Sequence, residues 1–292
     1  MERIQVPSFT HLHVHSHYSL LESSMTVEDL VNTAKLHHME AVALTDKYMM
    51  SGAVEFYNAA LSAGIKPIIG CEICLSDDDG IFHMVLLAKD RTGYGNLCRL
   101  VSSSHLEGGG RFPSVEMDCL RQAGTGLIGL SGCINGKIPR LLQKGLRKKA
   151  LETAGEYSRI FKGDFYIELQ RFPHPAGGDS LSEVLAGFAY AAGIPAAAAN
   201  NVHYAQRKHC GTYRQLFRLK TMSLNKDPLA RLLPGSENYL KTAQEMQSLF
   251  RDIPEAVSNT SVIRDKCCLE LEPGAPAFLY SGLMIAILKP AA

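Results

Sequence analysis

Apolar positions along this chain recur in two periods that take turns. Alternating or continuous apolar runs predict strands at Ala41 to Thr45, Lys66 to Ser76, Phe82 to Ala88, Gly126 to Leu130, Asp164 to Leu169 and Ile194 to Ala199, because strand side chains repeat every two residues. Between them, apolar residues three or four apart predict helices. Thr26 and Asp29 form a capping box ahead of Leu30, Val31 and Ala34; further helices are expected over Ser51 to Ala63, stopped by Gly64, near Gly95 to Ser104, over Ser180 to Ala192, and as one long stretch from Ile138 to Phe161. Strands alternating with helices predict an α/β fold with a parallel sheet, open or closed into a barrel. From about Cys210 the strands stop, and helices with turns follow at Thr242 to Phe250 and Pro254 to Asp265. That pattern reads as a C-terminal extension rather than a second catalytic core.

Composition narrows the class. A chain of 292 residues can bury a full core as one large domain. With 30 Lys+Arg against 29 Asp+Glu, nucleic acid cannot be held by bulk charge, so any such contact must be local. The run Lys137, Arg140, Lys144, Arg147, Lys148 and Lys149 is the local candidate, with a solvated helix face as its plainer reading. The opening residues lack an apolar core long enough for a signal peptide, which predicts a cytoplasmic protein with reduced cysteines. Cys71 and Cys74 have zinc-knuckle spacing, but no second pair matches them. Ala277 to Leu288 is apolar yet too short to span a bilayer.

Chemistry concentrates in Thr10-His11-Leu12-His13-Val14-His15-Ser16-His17. Read as a strand, this segment places four imidazoles on one face and Leu12 and Val14 on the other. Imidazole is the commonest protein ligand for transition metals, and two of them two residues apart are spaced to grip one ion. His13 and His15 are the expected ligands, with His11 deeper along the strand and His17 leaving with the turn.

Other polar residues fall where strands end: Asp46 and Lys47 after the second strand, Glu72 on the third, Cys133 after the fifth, and Asn201 and His203 after the last. In parallel α/β folds those ends gather on one rim. Asp77-Asp78-Asp79-Gly80 reads as a hairpin loop that pairs Ser76 with Ile81 and Cys74 with His83, which makes Glu72 and His83 diagonal neighbours. Each residue alone has a plainer role: Asp46 as a helix cap, Cys133 as a buried thiol, Glu72 as an ion-pair partner, and His105 at a helix end near the dipole. His37, His38 and His209 sit in polar contexts that predict solvent exposure.

These residues carry a family resemblance. Phe9-Thr10-His11-Leu12-His13-Val14-His15-Ser16 with Tyr18-Ser19-Leu20-Leu21 resembles the opening of the PHP (polymerase and histidinol phosphatase) domain of the bacterial DNA polymerase III alpha subunit. Ala43-Leu44-Thr45-Asp46, Gly64 to Glu72, His83 to Lys89, Gly93 to Leu97, Leu130 to Cys133, Tyr166 to Arg171, Asn200 to Tyr204 and Tyr239-Leu240-Lys241 agree in order, over about residues 5 to 272.

The resemblance implies a distorted (β/α)7 barrel over residues 5–209, a C-terminal part over 210–272 and a divergent apolar tail over 273–292. It implies up to three divalent metals, Zn, Mn or Fe, in a cleft at the strand ends. The implied ligand set is His13, His15, Glu22, Lys47, Glu72, His83, Cys133, Asn201 and His203, with His13, His15, Glu72 and His203 central to catalysis. Lys47 stands where the family usually has histidine, Asn201 where it has aspartate, and Glu22 where aspartate is more usual. The activity implied is metal-dependent phosphoester hydrolysis, of the 3′-5′ exonuclease type on DNA. The alternative is an impaired module that stabilises the polymerase and docks its proofreading exonuclease subunit; a free-standing histidinol-phosphatase-like enzyme follows the pattern less well. The family's polymerase is far longer, with palm carboxylates beyond anything in this chain, so this chain alone is not expected to polymerise DNA, and no membrane partner is expected.

Overall fold

The computed structural model describes residues 9–106, 113–132, 134–171, 180–223 and 236–271. In chain order the elements are α1 (Val27–Leu36), β1 (Ala41–Leu44), α2 (Ala53–Ser62), β2 (Lys66–Asp77), β3 (Gly80–Ala88), α3 (Arg91–Leu106), β4 (Val115–Glu116), α4 (Met117–Ala123), β5 (Leu127–Leu130), α5 (Lys137–Gln143), α6 (Arg147–Ile160), β6 (Phe165–Gln170), α7 (Ser180–Ala192), β7 (Ala196–Ala199), α8 (Cys210–Ser223), α9 (Ala243–Leu249) and α10 (Pro254–Lys266). The capping box at α1 is formed as expected, with the Thr26 side chain on the Asp29 amide and the Asp29 carboxylate on the Thr26 amide.

The sheet runs β1-β2-β3-β5-β6-β7, with β4 attached to β2. It is not all parallel. β2 pairs antiparallel with β3, and β3 with β5, while the other pairs are parallel. The reason is local: Asp77 pairs with Gly80, so the turn proper is Asp78-Asp79, far too short for the crossover that a parallel neighbour needs. The register is the expected one, Ser76 opposite Ile81 and Cys74 opposite His83. The long helix expected from Ile138 to Phe161 is two helices. Gly145, at φ +73, breaks it between α5 and α6, a conformation that costs glycine little.

Curling of the sheet gives two cores. Leu12, Ala41, Ala43, Ile68, Val85, Leu87, Ile128, Leu130, Tyr166 and Ala197 meet inside the curl, where Ile263 and Cys267 close one end. The α10 region is thus part of the barrel's packing. A larger cluster, including Leu30, Phe56, Leu86, Phe161 and Phe188, lies between sheet and helices. The segment around His11 to His15 joins the two ends of the sheet: the amides of Ala43 and Thr45 donate to the carbonyls of His11 and Val14, while His15 and Val202 bond through the His15 amide to the Val202 carbonyl and the Val202 amide to the His13 carbonyl.

Candidate metal centre

The histidine segment is not the regular strand its alternation suggests. It makes isolated bridges, His11 to Val42 and Val14 to Val202. Three residues, from His11 to Val14, advance against two, from Ala43 to Thr45. This is the count of a β-bulge, and the Thr45 hydroxyl fills the gap by accepting from the Val14 amide. One extra residue shifts the facing, so the four imidazoles do not share a face. Leu12 enters the inner core and Val14 the outer one. His11 is buried, with Nε2 donating to the Lys241 carbonyl at 2.8 Å. His17 is exposed. Only His13 and His15 converge.

They converge on Glu72. Its Oε2 lies 3.7 Å from His13 Nε2 and 3.4 Å from His15 Nε2, and its Oε1 is 2.7 Å from His83 Nδ1. The Glu72–His83 contact is the diagonal one that the hairpin register predicts. Asn201 Oδ1 stands 3.1 Å from His15 Nε2, and the His203 ring stacks on that of His15 at 4.5 Å. Tyr213 of α8 stacks in turn on His203 at 4.9 Å, so α8 roofs the cluster. Three non-glycine residues of this rim, Leu21, Tyr48 and Asn201, have positive φ. Asparagine tolerates that conformation, whereas leucine and tyrosine are strained by it, and those two flank Glu22 and Lys47.

The donor set fits a divalent cation. His13, His15 and Glu72 each offer one atom, all within 4.8 Å of one another and all buried. His13 Nε2 and Glu72 Oε2 have no hydrogen-bond partner, although buried polar atoms rarely go without one. Ligands about 2.0 Å from a tetrahedral ion lie about 3.3 Å apart, close to the spacing of His15 and Glu72. Burial holds His15 well below the usual imidazole range and His203 at about 4, so both are neutral at pH 7, the form that ligates metal. Burial would depress His13 as well, but Glu168 and then Glu72 outweigh it and raise His13 to about 10, so a cation bound at Nε2 must first displace the proton that His13 carries there in the metal-free chain. Desolvation opposes ionisation of Glu72, yet Lys47 and His83 hold it well below the carboxylate range.

Lys47 sits where a cation would. Its Nζ is 2.7 Å from Glu22 Oε2 and 3.6 Å from Glu72 Oε2. Lys220 of α8 pairs with the other Glu22 oxygen. Against the cost of burial, Lys47 and Lys220 keep Glu22 ionised, far below its ordinary value.

The residues suggested by sequence thus meet at one rim: His13, His15, Glu22, Lys47, Glu72, His83, Asn201 and His203. Cys133 lies outside the described residues. Asp46 does not cap α2; its carboxylate accepts from the Ser16 amide and from the hydroxyls of Ser16 and Ser19, all at 2.7 Å, and so ties down the turn leading to Glu22. His105 reaches the Tyr48 carbonyl at 2.6 Å instead of merely facing its own helix end. His38 is exposed, and His37 and His209 are half-buried. The basic run is partly neutralised: Lys137 pairs with Asp77 and Asp79, and Lys149 with Asp79. Sequence reasoning missed Glu168, which takes His13 Nδ1 at 2.7 Å, and Lys220. The signal for Glu168 was one carboxylate inside the apolar run Phe165 to Leu169; for Lys220, on a helix far along the chain, there was none.

Comparison with known proteins shows the family of the chain. The chain is 38% identical over 270 residues to the DNA polymerase III subunit alpha of Borreliella burgdorferi, taking in 89% of this chain and 24% of that protein. It is 37% identical over 278 residues to the error-prone DNA polymerase of Symbiobacterium thermophilum, across 89% of this chain and 25% of the relative. The chain therefore spans about a quarter of the length of the curated relatives it matches. A solved structure from Bifidobacterium adolescentis, described as a metal-dependent phosphoesterase, aligns with a TM-score of 0.47 at 15% identity over 67% of this chain and 88% of that one. The pattern of the PHP domain matches residues 11–172, more than half of the chain and the span that holds His13, His15, Glu72, His83 and Glu168. The chain belongs to the PHP domain family.

Proposed function

We propose that this chain is the PHP module of a DNA polymerase III alpha-type protein, and that its rim is a metal-dependent phosphoesterase centre acting on DNA 3′ ends. The observation that carries the reading is the convergence of His13, His15 and Glu72, with buried His13 Nε2 and Glu72 Oε2 lacking hydrogen-bond partners. Mixed imidazole and carboxylate donors suit Zn²⁺, Mn²⁺ or Fe²⁺. Held there, such a cation supplies Lewis acidity, activating water at neutral pH and offsetting charge that builds on the phosphate oxygens.

The chain's own residues prepare that chemistry. His13 and His15 present ring nitrogens to one point, and ionised Glu72 provides the negative charge that draws a cation there. His203 stays neutral beneath Tyr213, which shields the stack from water. Asp46, Ser16 and Ser19 hold the turn that brings Glu22 to the same rim.

A second reading has its own observation. Lys47 already partners Glu22 and Glu72, which favours a centre that holds fewer than three metals, and in the limit a non-catalytic scaffold within a larger polymerase that docks its proofreading exonuclease subunit. In either reading the proposed division is a PHP barrel over residues 5–209 and a C-terminal part of the same region over residues 210–272. No helix among the described residues is long and apolar enough to cross a membrane, and a replication role would place the chain in the cytoplasm.

Incubation of the purified chain with 3′-labelled single-stranded DNA and Mn²⁺ or Zn²⁺ separates the readings. Release of label by the wild type and not by His13→Ala supports hydrolysis. Equal release by both assigns the activity to a contaminant, and none from either leaves the scaffold.

A further inference from the structure

Glu168 stands alone as a carboxylate in the middle of β6, among Phe165, Tyr166, Ile167 and Leu169. It is fully buried, and a buried polar group needs hydrogen-bond partners. Its Oε1 accepts from His13 Nδ1 at 2.7 Å and from Gln170 Nε2 at 2.6 Å, while its own amide donates to Ser131 Oγ at 3.0 Å. Gln170 is two residues on and therefore on the same face of the strand, so it fixes the carboxylate from behind. β7 fixes the backbone, with Glu168 opposite Ala197 in the parallel pairing.

The consequence falls on His13. An imidazole has two ring nitrogens, and when one is committed as a donor the neutral ring keeps its lone pair on the other. Here Nδ1 is committed to Glu168, and Nε2 is the atom that faces Glu72 Oε2 without a hydrogen bond. A carboxylate on the far nitrogen of a ligating histidine fixes ring orientation and raises the basicity of the near one.

We propose that Glu168 is a positioning residue for the metal centre, holding His13 in the tautomer and orientation that aim Nε2 at a divalent cation. The proposal rests on the reading of His13, His15 and Glu72 as that centre. Glu168 acts through His13, with Gln170 as its support.

The test is the Mn²⁺ and Zn²⁺ affinity of the purified chain, measured by competition with a chelating dye, together with the metal-free melting midpoint. Glu168→Gln keeps an acceptor and the side-chain shape and is expected to weaken binding about tenfold; Glu168→Ala approaches a hundredfold. Tyr166→Phe alters the same strand at a hydroxyl that bonds Lys266 and is expected to leave affinity unchanged. Less than threefold weakening in Glu168→Gln overturns the inference while leaving the metal centre standing. A Glu168→Gln midpoint that falls in step with its affinity assigns Glu168 a packing role and also overturns it. Wild-type protein that binds neither ion overturns the metal reading, and the inference with it.

Discussion

The Lys47 ammonium lies 2.7 Å from the Glu22 carboxylate, a resident cation inside a cluster of otherwise ligand-type side chains. Its charge does part of what a metal would do, holding Glu22 and Glu72 ionised in a buried setting. An ammonium has no lone pair for a metal while protonated, and burial here does not deprotonate it: the two carboxylates outweigh desolvation and hold Lys47 well above its ordinary value.

Metal content follows from that relationship. Wild-type chain loaded with Mn²⁺ or Zn²⁺ and desalted is expected to retain fewer than three ions by elemental analysis. Lys47→His, which exchanges the ammonium for an imidazole, is expected to retain at least one more. Three ions in the wild type would show that Lys47 displaces none.

Removing the Glu22 charge has the opposite sense. Glu22→Gln leaves Lys47 with Glu72 as its remaining carboxylate and weakens the hold on Lys220 of α8. Taking one partner from a largely buried ion pair costs about 3 kcal/mol. Urea unfolding of the metal-free chain should show a loss of that size, and a change under about 0.5 kcal/mol, the scale of an ordinary surface substitution, would mean that the contacts are not maintained in solution.

Acid sensitivity traces partly to His11. Burial lowers it to about 4, against 6.5 ordinarily, with its bond to the Lys241 carbonyl opposing only in part. Between those values the unfolded chain carries the extra proton. Stability from this residue is therefore complete above pH 6.5 and declines as pH falls toward 4, by up to about 3 kcal/mol. His11→Gln should flatten the stability profile over pH 4–6.5 relative to wild type. Parallel profiles would show that His11 does not titrate as its burial implies.

Much of this fold was legible beforehand. The period-two and period-three-to-four runs located strands and helices, and the Asp77 to Gly80 loop set the hairpin register well enough to bring Glu72 to His83. What stayed hidden was set by tertiary packing. The antiparallel pairing of β3 with β5 had no signal in the sequence, and the facing of His11 to Val14 depended on the Thr45 hydroxyl that fits a three-against-two advance. Lys220 reaches Glu22 across 198 residues, a meeting that only tertiary packing creates. Glu168 looked like one polar position in a strand, because its partner His13 lies 155 residues earlier.

The most direct measurement is a titration of the metal-free chain with Mn²⁺ by isothermal calorimetry, beside His13→Ala, His15→Ala and Glu72→Gln. The account predicts saturable binding at about one ion per chain or more in the wild type and loss of at least tenfold in affinity in each variant. Wild-type chain that takes up no ion, or variants that bind as the wild type does, would contradict it.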